Sequence, residues 1–160
     1  DVLGSRGLGD VYKRQLLERA QMNLNANQAR NAMLDYDAYF KAVNGQVNDM
    51  FYYYREQAAL KARQYQRALD DIAKAIELNP KDLTYKAEQA VVNLRVGRYE
   101  EAVQILNNIL KEDPKYAEAY RLLGLCQIQL KKTDEACGNF NKAKELGDPN
   151  VDELIKKYCK

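Results

Sequence analysis

The chain has no histidine, no tryptophan, three prolines, three cysteines and one serine, Ser5. Without an imidazole, neither a hydroxyl nor a thiol nucleophile can be paired with its usual activating base. The acids do not make up the loss. Asp70–Asp71 and Glu100–Glu101 are sequence neighbours, and neighbours on a helix point about 100° apart, so such pairs do not converge on one substrate. Cys126, Cys137 and Cys159 form no CxxC motif and have no histidine partner, so a zinc site is not expected. No catalytic residue, metal or cofactor is expected. No apolar run approaches the ~18 residues that would suggest a membrane-spanning helix. Basic and acidic side chains number 25 and 23, which leaves no strong field to attract nucleic acid. Lys131–Lys132 and Lys156–Lys157 lack interleaved aromatics, so base stacking is not supported either.

What the chain does contain is a period. Tyr65, Tyr99 and Thr133 stand 34 residues apart, and so do Ala68, Ala102 and Ala136. Ile72, Leu106 and Phe140 follow in phase, then Ala75, Ile109 and Ala143. Pro80 and Pro114 close two copies, and Pro149 closes the third one residue late. Within each copy the apolar residues fall at steps of three and four, which is one face of a helix. The alanine column lets two helices approach closely, and the large column fills the groove beside it. Leu78 and Leu146 extend that face by a turn. Upstream of each copy lies a second amphipathic segment, over residues 51–63, 83–96 and 117–130. Gly97 falls where a helix needs a left-handed terminating residue. Each unit therefore reads as helix, tight turn, helix, and a period of this length marks a stacked helical repeat.

The pattern resembles the tetratricopeptide repeat family across residues 47–160, most strongly over residues 83–150. In the third unit Tyr120, Leu123, Gly124, Ala136, Phe140 and Ala143 hold signature positions. In the second, Lys86 replaces the usual aromatic while Ala90 keeps the small site. In the first, counting by 34 puts Glu56 at the small site; pairing the EQA tripeptides at residues 56–58 and 88–90 puts Ala58 there instead. The resemblance implies an all-α, right-handed α-solenoid of helix-turn-helix hairpins with a C-terminal capping helix. It also implies a non-catalytic scaffold that binds a peptide or helix in a concave groove lined by the first helix of each hairpin. Carried onto this chain, the groove holds Tyr53, Gln57, Leu60 and Lys61 in the first unit. It holds Thr84, Ala87, Val91, Leu94 and Arg95 in the second, and Glu118, Arg121, Leu125, Ile128 and Gln129 in the third. The clamp by which some family members grip a chaperone's C-terminal carboxylate is absent: Tyr53, Gln57, Glu88, Glu118 and Leu122 occupy its positions.

The expected organisation is a segment at 1–15, a divergent helix pair at 16–46, units at 47–82, 83–116 and 117–150, and a cap at 151–160. Residues 5–15, SRGLGDVYKRQ, resemble the translation of a transposase adapter used to prepare sequencing libraries. Residues 1–15 are therefore expected to be adapter-derived and disordered, and to stand where an earlier part of the protein is missing. In the helix pair, Leu16, Leu17, Ala20 and Leu24 share one face and Ala29, Ala32, Tyr36, Tyr39 and Phe40 another, Ala32 and Tyr36 repeat the small-then-large step, and a break falls near residues 25–27. In the cap, Val151, Leu154, Ile155 and Tyr158 form one apolar side. Cys137 and Cys159 are placed so that a disulfide could staple this cap down in an oxidising compartment. Cys126 reads as a small buried hydrophobe. The closing residues look similar to those of exported bacterial repeat proteins, which points to the periplasm or envelope, with the cytoplasm as the alternative. The partner is expected to be a protein or peptide. The second functional reading is a structural or assembly component whose repeats stack against other copies, self-associating through the uncovered first helices, or against a missing N-terminal region.

Overall fold

Strong three-four apolar spacing, helix-stopping prolines and few glycines inside the periodic segments favour helix nearly everywhere. The structure, a computed structural model, describes the backbone of residues 2–159 and the side chains of residues 7–159. Its described residues form nine helices and no strand. They are α1 Val2–Asn25, α2 Ala29–Ala42, α3 Asp49–Lys61, α4 Tyr65–Leu78, α5 Leu83–Arg95, α6 Tyr99–Glu112, α7 Ala117–Gln129, α8 Thr133–Glu145 and α9 Asp152–Tyr158. The chain divides into two compact units, Asp1–Pro80 and Lys81–Lys160. In the first, α1 pairs with α2 and α3 with α4, and α2 packs on α3. In the second, α5 pairs with α6 and α7 with α8, α6 packs on α7, and α9 lies on α8.

The small-then-large columns make the hairpins. Ala32, Ala68, Ala102 and Ala136 are wholly buried, and so are Ile72, Leu106 and Phe140, with Tyr36 nearly so. The next column buries Ala75, Ile109 and Ala143; the first hairpin carries the half-buried ring of Tyr39 there instead. The strict count of 34 holds in α3. Glu56 is wholly buried in the column of Ala90 and Gly124, while Ala58 falls in line with Val92 and Cys126. Leu78 departs from expectation: it ends α4 and is 53% exposed.

Each hairpin turns in the same way. One residue adopts the left-handed conformation: Asn27 at φ 60°, Arg63 at 59°, Gly97 at 81° and Lys131 at 61°. The following amide then donates back across the helix end, Gln28 to Asn23, Gln64 to Ala59, Arg98 to Asn93 and Lys132 to Gln127, at 2.7–2.9 Å. This is the six-to-one closure of a helix C-terminus. Three of the four turns hold a side-chained residue in a conformation that costs roughly 1–2 kcal/mol, so the packed hairpin imposes it. Two helix starts are capped by side chains: Asn48 accepts from the Phe51 amide at 3.0 Å and Asp82 from the Thr84 amide at 2.8 Å.

Disorder is expected of residues 1–15; Asp1 lies outside the described residues, and residues 2–15 have a helical backbone. The backbone from Val2 runs helically into the packed part of α1, where Leu16, Ala20 and Leu24 are buried. No described side chain between residues 7 and 15 is buried.

At the other end Val151 is wholly buried against Ala136, Phe140 and Ala143, and Leu154, Ile155 and Tyr158 are partly covered on the same cluster. The Tyr158 ring lies 6.4 Å from that of Phe140. A disulfide joins Cys137 in α8 to Cys159 just past α9, with Cα atoms 5.6 Å apart. Its separation of 22 residues closes a loop worth ~3 kcal/mol in the chain-entropy account. Cys137→Ser combined with Cys159→Ser should lower unfolding stability by about that amount, and dithiothreitol should do the same to the unaltered chain. Denaturant unfolding checks this; equal midpoints with and without the bond would mean that the disulfide adds no stability.

Candidate functional site

In the second unit, α5 and α7 lie side by side. Their helical period aims Val91 and Leu94, then Leu125 and Ile128, to the edge of the core, where all four are half-buried. Arg95 and Gln129 are exposed at the helix ends and Thr84 at the start of α5. Thr84 hydrogen-bonds the Tyr116 phenol, which burial pushes above its ordinary range. Ala87 does not belong to this surface: it is 2% exposed, packed in the cluster of Ala90, Ala102 and Ala119. Its methyl is too short to clear the neighbouring side chains.

Arg121, expected in the groove, is already occupied by acidic partners. Its guanidinium donates to Glu118 at 2.7 Å and to Asp148 at 2.8 Å. Glu88 and Glu118 press on one another, and the Glu88 carboxyl is pushed above its ordinary 4.5, first by burial and then by Glu118. The folded chain therefore holds this proton more tightly than the unfolded chain. The ionised carboxylate opposes folding above the raised value, and the opposition fades as pH falls toward 4.5. Glu88→Gln should raise the melting temperature at pH 7, with the gap closing by about pH 4. A gap of constant size across that range would contradict the assignment.

In the first unit Tyr53 lies with its ring 5.4 Å from that of Tyr54, Gln57 and Leu60 are half-buried, and Lys61 is exposed. The cations here are spent on structure. Arg19 grips Asp35 at 2.6 and 2.9 Å, and Arg55 grips Asp71 at 2.7 and 2.8 Å. Arg67 pairs with Asp37. The Arg55 guanidinium also sits 4.9 Å over the Phe40 ring and 5.2 Å over that of Phe51.

Reading the sequence missed a cavity of about 690 Å³ in this unit. Leu17 and Gln21 of α1, Tyr36 and Tyr39 of α2, residues 46–48, and Met50, Phe51 and Tyr54 of α3 line it. A signal was present: Tyr39 stands in the column that holds alanine at 75 and 143. No group of three or more His, Cys, Asp or Glu among the described residues could hold a metal ion. Cys126 is buried, and burial pushes its thiol up to about 11, so it is not a nucleophile. No helix among the described residues is long and apolar enough to cross a membrane.

Paired helices, a repeat of 34 residues and half-buried aliphatics along adjacent first helices define the class of helical-repeat interaction modules. Two models of the tetratricopeptide repeat family match, at residues 57–114 and 93–137, together half of the chain. The chain belongs to the tetratricopeptide repeat family, and it is a protein-interaction module of that family, not an enzyme. It is 32% identical over 99 residues to small glutamine-rich tetratricopeptide repeat-containing protein 2 of Mycosarcoma maydis, covering 62% of this chain and 28% of that protein. The chain spans less than a third of the length of that relative. Among solved structures it is similar to TTC0263, a thermophilic TPR protein of Thermus thermophilus. The TM-score is 0.73 at 18% identity, over 91% of this chain and 82% of that one. YrrB, a TPR protein with an unusual peptide-binding site, gives 0.72 at 20% identity, over 86% of this chain and 70% of that one. At these identities the likeness is one of fold.

Proposed function

We propose that this chain is a binding scaffold that takes an extended peptide or an amphipathic helix of a partner protein on the face shared by α5 and α7. The observation that carries the reading is the set of four half-buried aliphatics, Val91, Leu94, Leu125 and Ile128, on adjacent helices with charges at their margins. Such a strip gives an apolar side chain area to cover without a cost in unfolding the scaffold. Glu88 and Glu118 on one side and Arg95 at the other set polarity along it. Tyr53, Gln57, Leu60 and Lys61 of α3 carry the same role in the first unit. The disulfide suits an oxidising compartment such as the bacterial periplasm or envelope.

The test is selection from a random peptide library displayed on phage, using the intact chain as bait. Selected peptides should lose at least tenfold in affinity to Leu94→Glu with Ile128→Glu, at an unchanged melting temperature. Selected peptides that bind this variant as tightly as the parent would refute the site. A second reading, assembly through the first hairpin, has its own observation: Met22 is 69% and Leu34 68% exposed. Met22→Glu with Leu34→Glu would convert an oligomer into a monomer; a parent chain that is monomeric at high micromolar concentration removes this reading.

A further inference from the structure

The cavity between α1, α2 and α3 is a second binding element with a chemistry of its own. The geometry points to an anchor pocket for an uncharged aromatic or large aliphatic side chain of a peptide, phenylalanine above all. The inference rests on the reading of the chain as a peptide-binding module but concerns a site apart from the α5–α7 face.

Three observations carry it. The first is the lining. Four rings, those of Tyr36, Tyr39, Phe51 and Tyr54, share the walls with Leu17 and Met50, and no carboxylate, ammonium or guanidinium is among the lining residues. The Arg55 guanidinium, 5.2 Å over the Phe51 ring, is turned to Asp71 and Asp37. Burial pushes the Tyr36 phenol up to about 12, so it stays protonated. A charged side chain entering here would lose water and find no counter-ion. An aromatic ring finds edges and faces already arranged around Phe51: Tyr36 is 5.7 Å away at 87° and Tyr39 is 5.6 Å away at 30°.

The second is placement. Leu17 and Gln21 precede Tyr53 and Gln57 by 36 residues, the step between the first two hairpins, and Met50 precedes Thr84 by 34. The mouth therefore belongs to the same columns as the proposed peptide face. The third is the polar rim. The Gln21 amide nitrogen is held by Asn25 at 3.1 Å, leaving its oxygen as an acceptor, and Gln46 is exposed beside it. Amide groups at the mouth of an apolar pocket suit a peptide backbone passing over it. The volume of about 690 Å³ is that of a ligand pocket and not of a packing defect.

The experiment is a methyl NMR titration of the intact chain with three probes: N-acetyl-phenylalanine amide, N-acetyl-lysine amide and N-acetyl-glutamate amide. Saturable shifts at Leu17, Val47 and Met50 are expected with the phenylalanine probe, with affinity at least tenfold weaker for the two charged probes. Met50→Glu and Gln46→Glu, both at exposed positions, should weaken the phenylalanine probe at least tenfold while the melting temperature holds. No shift at these three methyls, or equal shifts with all three probes, overturns the pocket. Shifts confined to Leu94 and Ile128 overturn it as well while leaving the α5–α7 face standing, so the two readings fail separately.

Discussion

Gly124→Ala should destabilise the protein by about 3 kcal/mol, against a helix-propensity gain of about 1 kcal/mol that the same change brings at an unconstrained site. The reason is the crossing of α7 and α8. A Cβ on Gly124 would meet the Phe140 ring at 2.3, 2.5 and 2.9 Å. That ring cannot retreat, because Phe140 is wholly buried and Val151 and Tyr158 pack with it. Phe140→Ala fails in the opposite sense, leaving a void that costs ~3–5 kcal/mol. The pair should therefore be coupled. Gly124→Ala with Phe140→Leu should be more stable than the sum of the single effects by at least ~1 kcal/mol. Urea unfolding of the four proteins measures this. Strict additivity would mean that the close approach of the two helices is not set by these two residues.

The second large effect lies in the first unit. Removing Arg55 should cost ~3–5 kcal/mol, because Asp71 is left charged and dehydrated, whereas removing Asp71 should cost less, because Arg55 keeps Asp37. The side chains of Arg55 and Asp71 are 13% and 6% exposed. Exposed pairs such as Lys74–Glu77 should contribute little, since water and salt screen them. Arg55→Met should be destabilising, and Arg55→Met combined with Asp71→Leu should recover much of the loss, since two apolar groups need no counter-charge. Denaturant titration at low and high salt separates the cases. A loss at Arg55→Met that vanishes in ~1 M salt would place the pair at the surface in energetic terms.

The second helices were legible because one side chain per turn carries the message. A run of alanine, large residue and small residue in phase across three copies admits one packing, and α4, α6 and α8 bury those residues. The break near residues 25–27 and the left-handed Gly97 were legible for similar reasons. Arg63 and Lys131 were not, since nothing in an arginine or a lysine announces a positive φ; the hairpin imposes it. Glu56 was obscured because a carboxylate rarely occupies a small buried site, and the competing EQA pairing looked chemically safer. Ala87 was misassigned because helical phase gives direction but not reach. Residues 2–15 continue α1 with no buried side chain over residues 7–15, which leaves no apolar period to read. The cavity escaped because it arises from one column changing size, Tyr39 for alanine, and only the packed helices reveal the space beside it.

The central claim is that the first-helix faces of these hairpins receive another chain. Methyl NMR of the intact chain, titrated with a peptide selected on it, tests this most directly. The account predicts shifts centred on Val91, Leu94, Leu125 and Ile128, with Val103 and Leu110 of α6 unmoved. Shifts centred on Val103 and Leu110, with the four α5 and α7 methyls silent, would contradict it.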